Sequence, residues 1–340
     1  MRGKLNPLFF LAAVVMLAAT AVQAVTIDLV TVGNPGNAAD NTGYGAVDYA
    51  YQIGKHEVTA GQYTAFLNAV AKTDTYGLYN ASMAITHYSL GYGSGINRSG
   101  SSGGYNYSVD DAFVNRPVNY VSWGDAARFV NWLDNGQPIG DQGDGTTETG
   151  AYTLDGATSA AQLAAVRRNP GWTWALPSED EWYKAAYHKG GNVSAGYWLF
   201  PTQSDLAPGR DMADVSGNNA NYYGTPVPLA NPYWGTTVGQ FQNSESAYGT
   251  FDQGGNVWEW NEAVIGTSRG LRGGSFYAGA ESPADMCSTT RWHGDPSADN
   301  NYVPLGLFGF RVVQVPEPGS LALLAGVAVT MLLRRRSQNA

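Results

Sequence analysis

Three times along this chain a Ser or Thr stands three residues ahead of a Gln, Asp or Glu and opens an apolar stripe. Thr59 and Gln62 hold that spacing before Tyr63, Phe66, Leu67 and Val70. Ser122 and Asp125 hold it before Ala126, Phe129, Val130 and Leu133, with Gly136 as the stop. Ser178 and Glu181 hold it before Trp182, Ala185 and Ala186, with Gly190-Gly191 as the stop. Each is a capping box followed by i, i+3, i+4 spacing, so each predicts a helix. Elsewhere Gly, Asn, Pro and Ser interrupt the chain too often for long elements. Gly alone accounts for 43 of 340 residues. Aromatic residues are 12% and charged residues 14%, the balance of a compact, loop-rich, secreted-type domain. Gly91–Tyr107 and Asn135–Gly150 read as surface loops, and the first matches no phosphate cradle. Nothing between Val25 and Val315 has the composition of a linker, so residues 25–315 are expected to form one domain.

A formal net charge of −9 argues against nucleic acid or anionic lipid as a partner and suits divalent cations. The single cysteine excludes an intrachain disulfide. Arg2 and Lys4, an apolar run over Pro7–Ala21 and a small-residue end at Ala24 make residues 1–24 a secretory signal peptide. At the other end, Gly319–Leu333 is apolar over 15 residues. As a helix it would reach about 22 Å, short for a bilayer of about 30 Å. Arg334, Arg335 and Arg336 follow it. With Pro316-Glu317-Pro318 in front, residues 316–340 resemble the PEP-CTERM sorting signal of Gram-negative bacteria. That resemblance implies export, a transient membrane anchor and an exosortase-type processing enzyme as partner. The mature protein would then sit at the cell envelope, the outer surface or the extracellular matrix.

Four motifs follow in order: NRPVNYVSWGDAARFVNWL (Asn115–Leu133), WALPSEDEWYKAAYHKGG (Trp174–Gly191), YGTFDQGGNVWEWNE (Tyr248–Glu262), and RGLRGGSFYAG with CSTTRW and LGLFGFRVV (Arg269–Val313). GKHEVTAGQYTAFLNAV (Gly54–Val70) precedes them. Together they resemble the formylglycine-generating-enzyme, or sulfatase-modifying-factor, family. The resemblance implies an α+β fold: a loop-rich variant of the C-type-lectin fold with few helices and short strands. It also brings in copper-dependent oxidases that convert a sulfatase cysteine to formylglycine, alongside relatives whose role is binding or display.

The oxidase chemistry needs two thiolates a few residues apart after the Arg-Gly-Gly-Ser turn, to hold Cu(I). Here that stretch reads FYAGAESPADM, and the one cysteine, Cys287, comes later, just before Ser-Thr-Thr-Arg. Copper is therefore not expected. Cys287 is the one catalytic candidate, as a lone nucleophile with His293 six residues on, or it is a buried inert thiol.

Calcium is the expected cofactor. Asp252 and Glu259 are hard carboxylates flanking the Gly254-Gly255 turn, whose carbonyls can complete an oxygen site. The resemblance assigns a structural calcium to the side chains of Asp252 and Glu259 and the carbonyls of Gly255 and Val257, with Asn221 in a second site. The plainer alternative makes Asp252 a turn cap and pairs Glu259 with an arginine such as Arg272. Arg311 is expected as a buried ion-pair partner. Trp258 and Trp260 are expected to straddle a strand with one of them buried. His56, His87, His188 and His293 are scattered and form no metal motif.

The sequence thus points to an exported, surface-associated domain without the two-cysteine copper site, serving a binding or matrix role toward a protein or polysaccharide. A formylglycine-type oxidase or related protein-modifying enzyme, and a carbohydrate-binding module, are the alternatives.

Overall fold

In a computed structural model the described residues are 24–87, 89, 92–277, 283–298 and 305–315. The expected signal peptide, except Ala24, and the expected C-terminal anchor lie outside them. No helix among the described residues is long and apolar enough to cross a membrane.

The three capping boxes open three helices. Helix α1 spans Ala60–Val70, α2 spans Trp123–Asp134 and α4 spans Glu179–Tyr187. In each, the cap hydroxyl accepts the N3 amide while the N3 side chain accepts the cap amide. Two of the amide donors left open at each helix start are met in this way. A fourth helix, α3 at Ala160–Ala165, uses a further box of Ser159 and Gln162. It is short and alanine-rich, and only Leu163 and Ala164 are buried, so no apolar stripe announced it.

The strands are brief. β1 (Leu29–Val32), β2 (Tyr51–Gly54), β10 (Val313–Gln314) and β5 (Trp174–Ala175) form one antiparallel sheet in that spatial order. β3 (Ile96–Ser99) and β4 (Asn106–Val109) form a separate hairpin. The third sheet runs β8 (Trp292–Gly294), β7 (Ser268–Arg272), β6 (Trp258–Ile265), β9 (Phe308–Gly309), with β9 parallel to β6. Long connections carry most of the chain between these elements.

Helices α1 and α2 meet through rings. Phe129 lies 5.3 Å from Phe66 and 5.3 Å from Phe310, and 5.7 Å from Trp132, in tilted or edge contacts favoured by ring quadrupoles. Trp123, Trp132, Trp182 and Trp260 are fully buried. The indole N–H groups of Trp123, Trp132 and Trp260 donate to the carbonyls of Asn261, Pro138 and Val121. Trp258 and Trp260 do not straddle β6. Positions two apart share a face of a strand, and both rings are buried in the same core.

Replacing Ser122 by Ala removes the hydroxyl that accepts the Asp125 amide at 3.1 Å. The expected loss, read by urea denaturation, is about 1 kcal/mol with the fold unchanged.

Candidate functional site

The hairpin of β6 and β7 sets Glu259 opposite Arg272 and Trp260 opposite Leu271. The loops flanking it are joined: the Gly255 amide donates to Gly273 O and the Phe276 amide to Asn256 O, each at 2.8 Å. Two glycines make this junction possible. Gly255 has φ +91°, and a Cβ there would overlap Asn221 O. Gly273 has φ +99°, and a Cβ there would lie 2.7 Å from Gln253 O. Side chains fit neither the conformation nor the space.

Glu259 has no exposed surface. Its Oε2 accepts from Arg311 Nε at 2.6 Å and Trp182 Nε1 at 2.7 Å. Its Oε1 accepts from Arg311 Nη2 at 2.6 Å. Arg311 is the partner, not Arg272, which instead pairs with Glu179 at 2.8 Å. The remaining Arg311 donors reach Gly54 O, Lys55 O and Phe251 O.

The other residues of the expected calcium set belong to the loop before β6 or lie against it. Asp252 is half-buried, with φ +59°, and its Oδ2 caps the Gly239 amide at 2.6 Å. Burial, opposed by the Gly239 hydrogen bond and Arg311, pushes its carboxyl up to about 6. Val257 is buried in the core. Asn221 lies against Gly255, and its amide donates to Trp234 O and Asn256 Oδ1. Oε2 already accepts twice and Oε1 once, so a divalent ion at Glu259 would have to share a carboxylate whose charge the Arg311 guanidinium offsets. Among the described residues no three His, Cys, Asp or Glu side chains converge into a metal cage.

Sequence reading gave Glu57 no role. It is 2% exposed, and neither carboxylate oxygen has a hydrogen-bond partner. Burial first, then the charges of Asp252 and Glu259, hold its carboxyl well above the usual range. An acidic residue alone among His56, Val58 and a capping Thr was the only hint available. Next to it, His56 meets Phe251 in a tilted ring contact at 5.6 Å, and burial, then Arg311 and Lys55, lower its imidazole to about 4. A cavity of about 540 Å³ opens beside these two residues, between the segment at residues 24–28, the start of α1 and Thr237-Val238.

Cys287 is elsewhere. It follows a 3-10 turn at Pro283–Met286 and is half-buried against the cluster of Phe200, Ala220 and Met286. Burial and then Asp285 raise its thiol pKa, the reverse of an activated thiolate. His293 is exposed on edge strand β8. His87 is also exposed. His188 is buried, with Nδ1 2.7 Å from Tyr248 Oη. Residues 278–282, in the stretch where the paired cysteines would fall, lie outside the described residues.

Arg311→Met would leave the Glu259 carboxyl in the core without its cation. The expected loss of unfolding free energy, measured by chemical denaturation, is about 3–5 kcal/mol.

Comparison with known proteins gives this architecture a family. No curated protein matches the chain. Among solved structures, CarF aligns at a TM-score of 0.51 with 22% identity, covering 86% of this chain and 100% of that one, and shows the shared fold. Variable protein 1 of Treponema denticola aligns at 0.49 with 20% identity over 87% of this chain and 98% of its own. PvdO from Pseudomonas aeruginosa aligns at 0.43 with 17% identity over 85% and 92%. Few helices, short strands and long loops are the α+β, C-type-lectin-like architecture of the formylglycine-generating enzymes. With residues 35–315 matching its sequence pattern, the chain belongs to the sulfatase-modifying factor enzyme 1-like domain family.

Proposed function

We propose that this chain is an exported member of the family that serves as a binding or display domain at the cell surface, without the two-cysteine copper oxidase. The observation that carries this reading is the setting of its one cysteine. Cys287 is packed against Phe200, Ala220 and Met286, its thiol held protonated by burial and Asp285. A Cu(I) site of the oxidase kind requires two thiolates, and the chain has one sulfur of that type. Export and transient anchoring rest on the sequence features of residues 1–24 and 316–340.

A cluster of rings favours polysaccharide as the partner. Trp234 lies 5.1 Å from Tyr92 and 5.6 Å from Tyr277, and Tyr223 lies 5.1 Å from Tyr277. These four are half-buried and sit where the chain leaves the Arg-Gly-Gly-Ser turn. Partly wet aromatic faces are suited to stacking on sugar rings.

Incubation of the purified chain with Cu(I), oxygen and a cysteine-containing peptide should yield no aldehyde, and dialysed protein should retain no stoichiometric copper. Formylglycine in the peptide, lost in Cys287→Ser, would overturn the reading. Retention on immobilised polysaccharide, weakened by Trp234→Ala, is the positive result expected.

A further inference from the structure

A second cavity, of about 160 Å³, opens where α2 begins. Its wall includes Tyr76, Asn80, Tyr120, Ser122, Asp125 and Arg128, each with a polar group to offer. Arg128 is 2% exposed. Its Nε and Nη2 donate to the two oxygens of Glu148 at 2.7 and 3.1 Å, and Nη2 also donates to Ala157 O at 3.0 Å. Nη1 has no hydrogen-bond partner among the described residues, so both of its N–H groups are open. Gly124, also on the wall, lies beside that nitrogen, and a Cβ there would be 3.5 Å from it. The open nitrogen therefore faces the cavity. Glu148 holds one edge of the guanidinium, and the Tyr76 ring, with its centroid 4.2 Å from Cζ, holds its face.

Asp125 supplies the matching acceptor. Its Oδ2 accepts the Ser122 amide at 2.8 Å, and Oδ1 is unmatched among the described residues. Burial, opposed by the Ser122 hydrogen bonds and Arg128, pushes its carboxyl up to about 6, so it is ionised at neutral pH. Asn80 is half used in the same way: Oδ1 accepts the Ser82 amide at 2.9 Å, and Nδ2 is open. Polar groups this deep need partners, and here both donors and an acceptor ask for one occupant. Charge narrows the choice. Glu148 already balances Arg128, so Asp125 leaves the cavity with one negative charge in excess, which disfavours an anion. Size narrows it further. The volume is below the roughly 300 Å³ at which drug-sized sites begin, so one small ring fits. Adjacent hydroxyls on a sugar ring can accept from a guanidinium and donate to a carboxylate at once. The C–H face of such a ring suits the Tyr76 ring.

We infer that this cavity binds a single neutral sugar unit, held between Arg128 Nη1 and Asp125 Oδ1 beside the ring of Tyr76. Gly77 and Thr158, both exposed, form the mouth through which it enters. None of the four rings clustered at Trp234 lines the cavity. The site therefore stands whether or not that cluster takes polysaccharide.

The test uses the full chain with glucose, mannose, galactose and N-acetylglucosamine, followed by ligand-observed saturation-transfer NMR. At least one of them should bind, with a Kd on the order of 1 mM for so small a ligand. Thr158→Trp, which fills the mouth without touching the buried charges, should abolish binding. Asp125→Asn, which keeps an oxygen for the Ser122 amide, should weaken binding at least tenfold, and it serves as the second variant should Thr158→Trp fold poorly. Trp234→Ala should leave binding unchanged, which separates this site from the polysaccharide reading. Binding of none of the four sugars would overturn the inference and leave the cavity to water. Undiminished binding in both Thr158→Trp and Asp125→Asn would also overturn it, as would a response to ethanolamine and to no sugar.

Discussion

The Arg311–Glu259 pair is the contact on which the other elements depend. A guanidinium in the interior is tolerated only when every donor is met and its charge is balanced. Arg311 satisfies both conditions by reaching three separate stretches: the end of β2 at Gly54 and Lys55, the loop at Phe251 and strand β6 at Glu259. The partners lie 257, 60 and 52 positions away in sequence. One planar side chain thus fixes the relation between two sheets whose strands are too short to specify it alone. Whether a hydrophobic replacement of the whole pair would be more stable is secondary. The geometry of the pair accepts one arrangement of the loops, and apolar contacts do not discriminate in that way.

The same device recurs at the start of α4. Glu179 accepts from Arg272 and Arg291, and Glu181 accepts from Arg168 while closing the capping box with Ser178. Burial raises the Glu181 carboxyl, but the Arg168 pair outweighs it and the net shift is downward. Acidic groups in a first turn also complement the helix dipole. Three carboxylates over Glu179–Glu181 therefore cap the helix and bind strand β7, the segment at Arg168 and, through Asp180, the loop at Gly45. In a fold with little regular structure, buried arginines take the place of long ladders of backbone hydrogen bonds.

What could be read from sequence was local. The boxes at Thr59, Ser122 and Ser178 gave three helices because cap and N3 residue are three apart. The family architecture was legible because its motifs are contiguous. Arg311 was legible as a buried ion-pair member, since an arginine between Phe310 and Val312 has no other outlet. Its partner was not, because nothing in the spacing ranks Arg311 above Arg272 for Glu259. Asp252 read as a ligand or a cap, and the structure gives it a cap on Gly239. Glu57 escaped because its importance comes from what it lacks, and charged neighbours about 200 residues away have no signature around position 57. The paired burial of Trp258 and Trp260 was misjudged by the parity of the strand.

Strand β10 occupies an interior position, between β2 and β5. Its arrival completes the first sheet, and Arg311, two residues before it, completes the core. During synthesis, the ribbons on either side of that slot are made early and must wait, edges open, for a piece supplied much later. Assembly is then governed by loop closure over most of the chain, the slow kind of folding step. Until it occurs the unpaired edges of β2 and β5 are open to strands of other molecules.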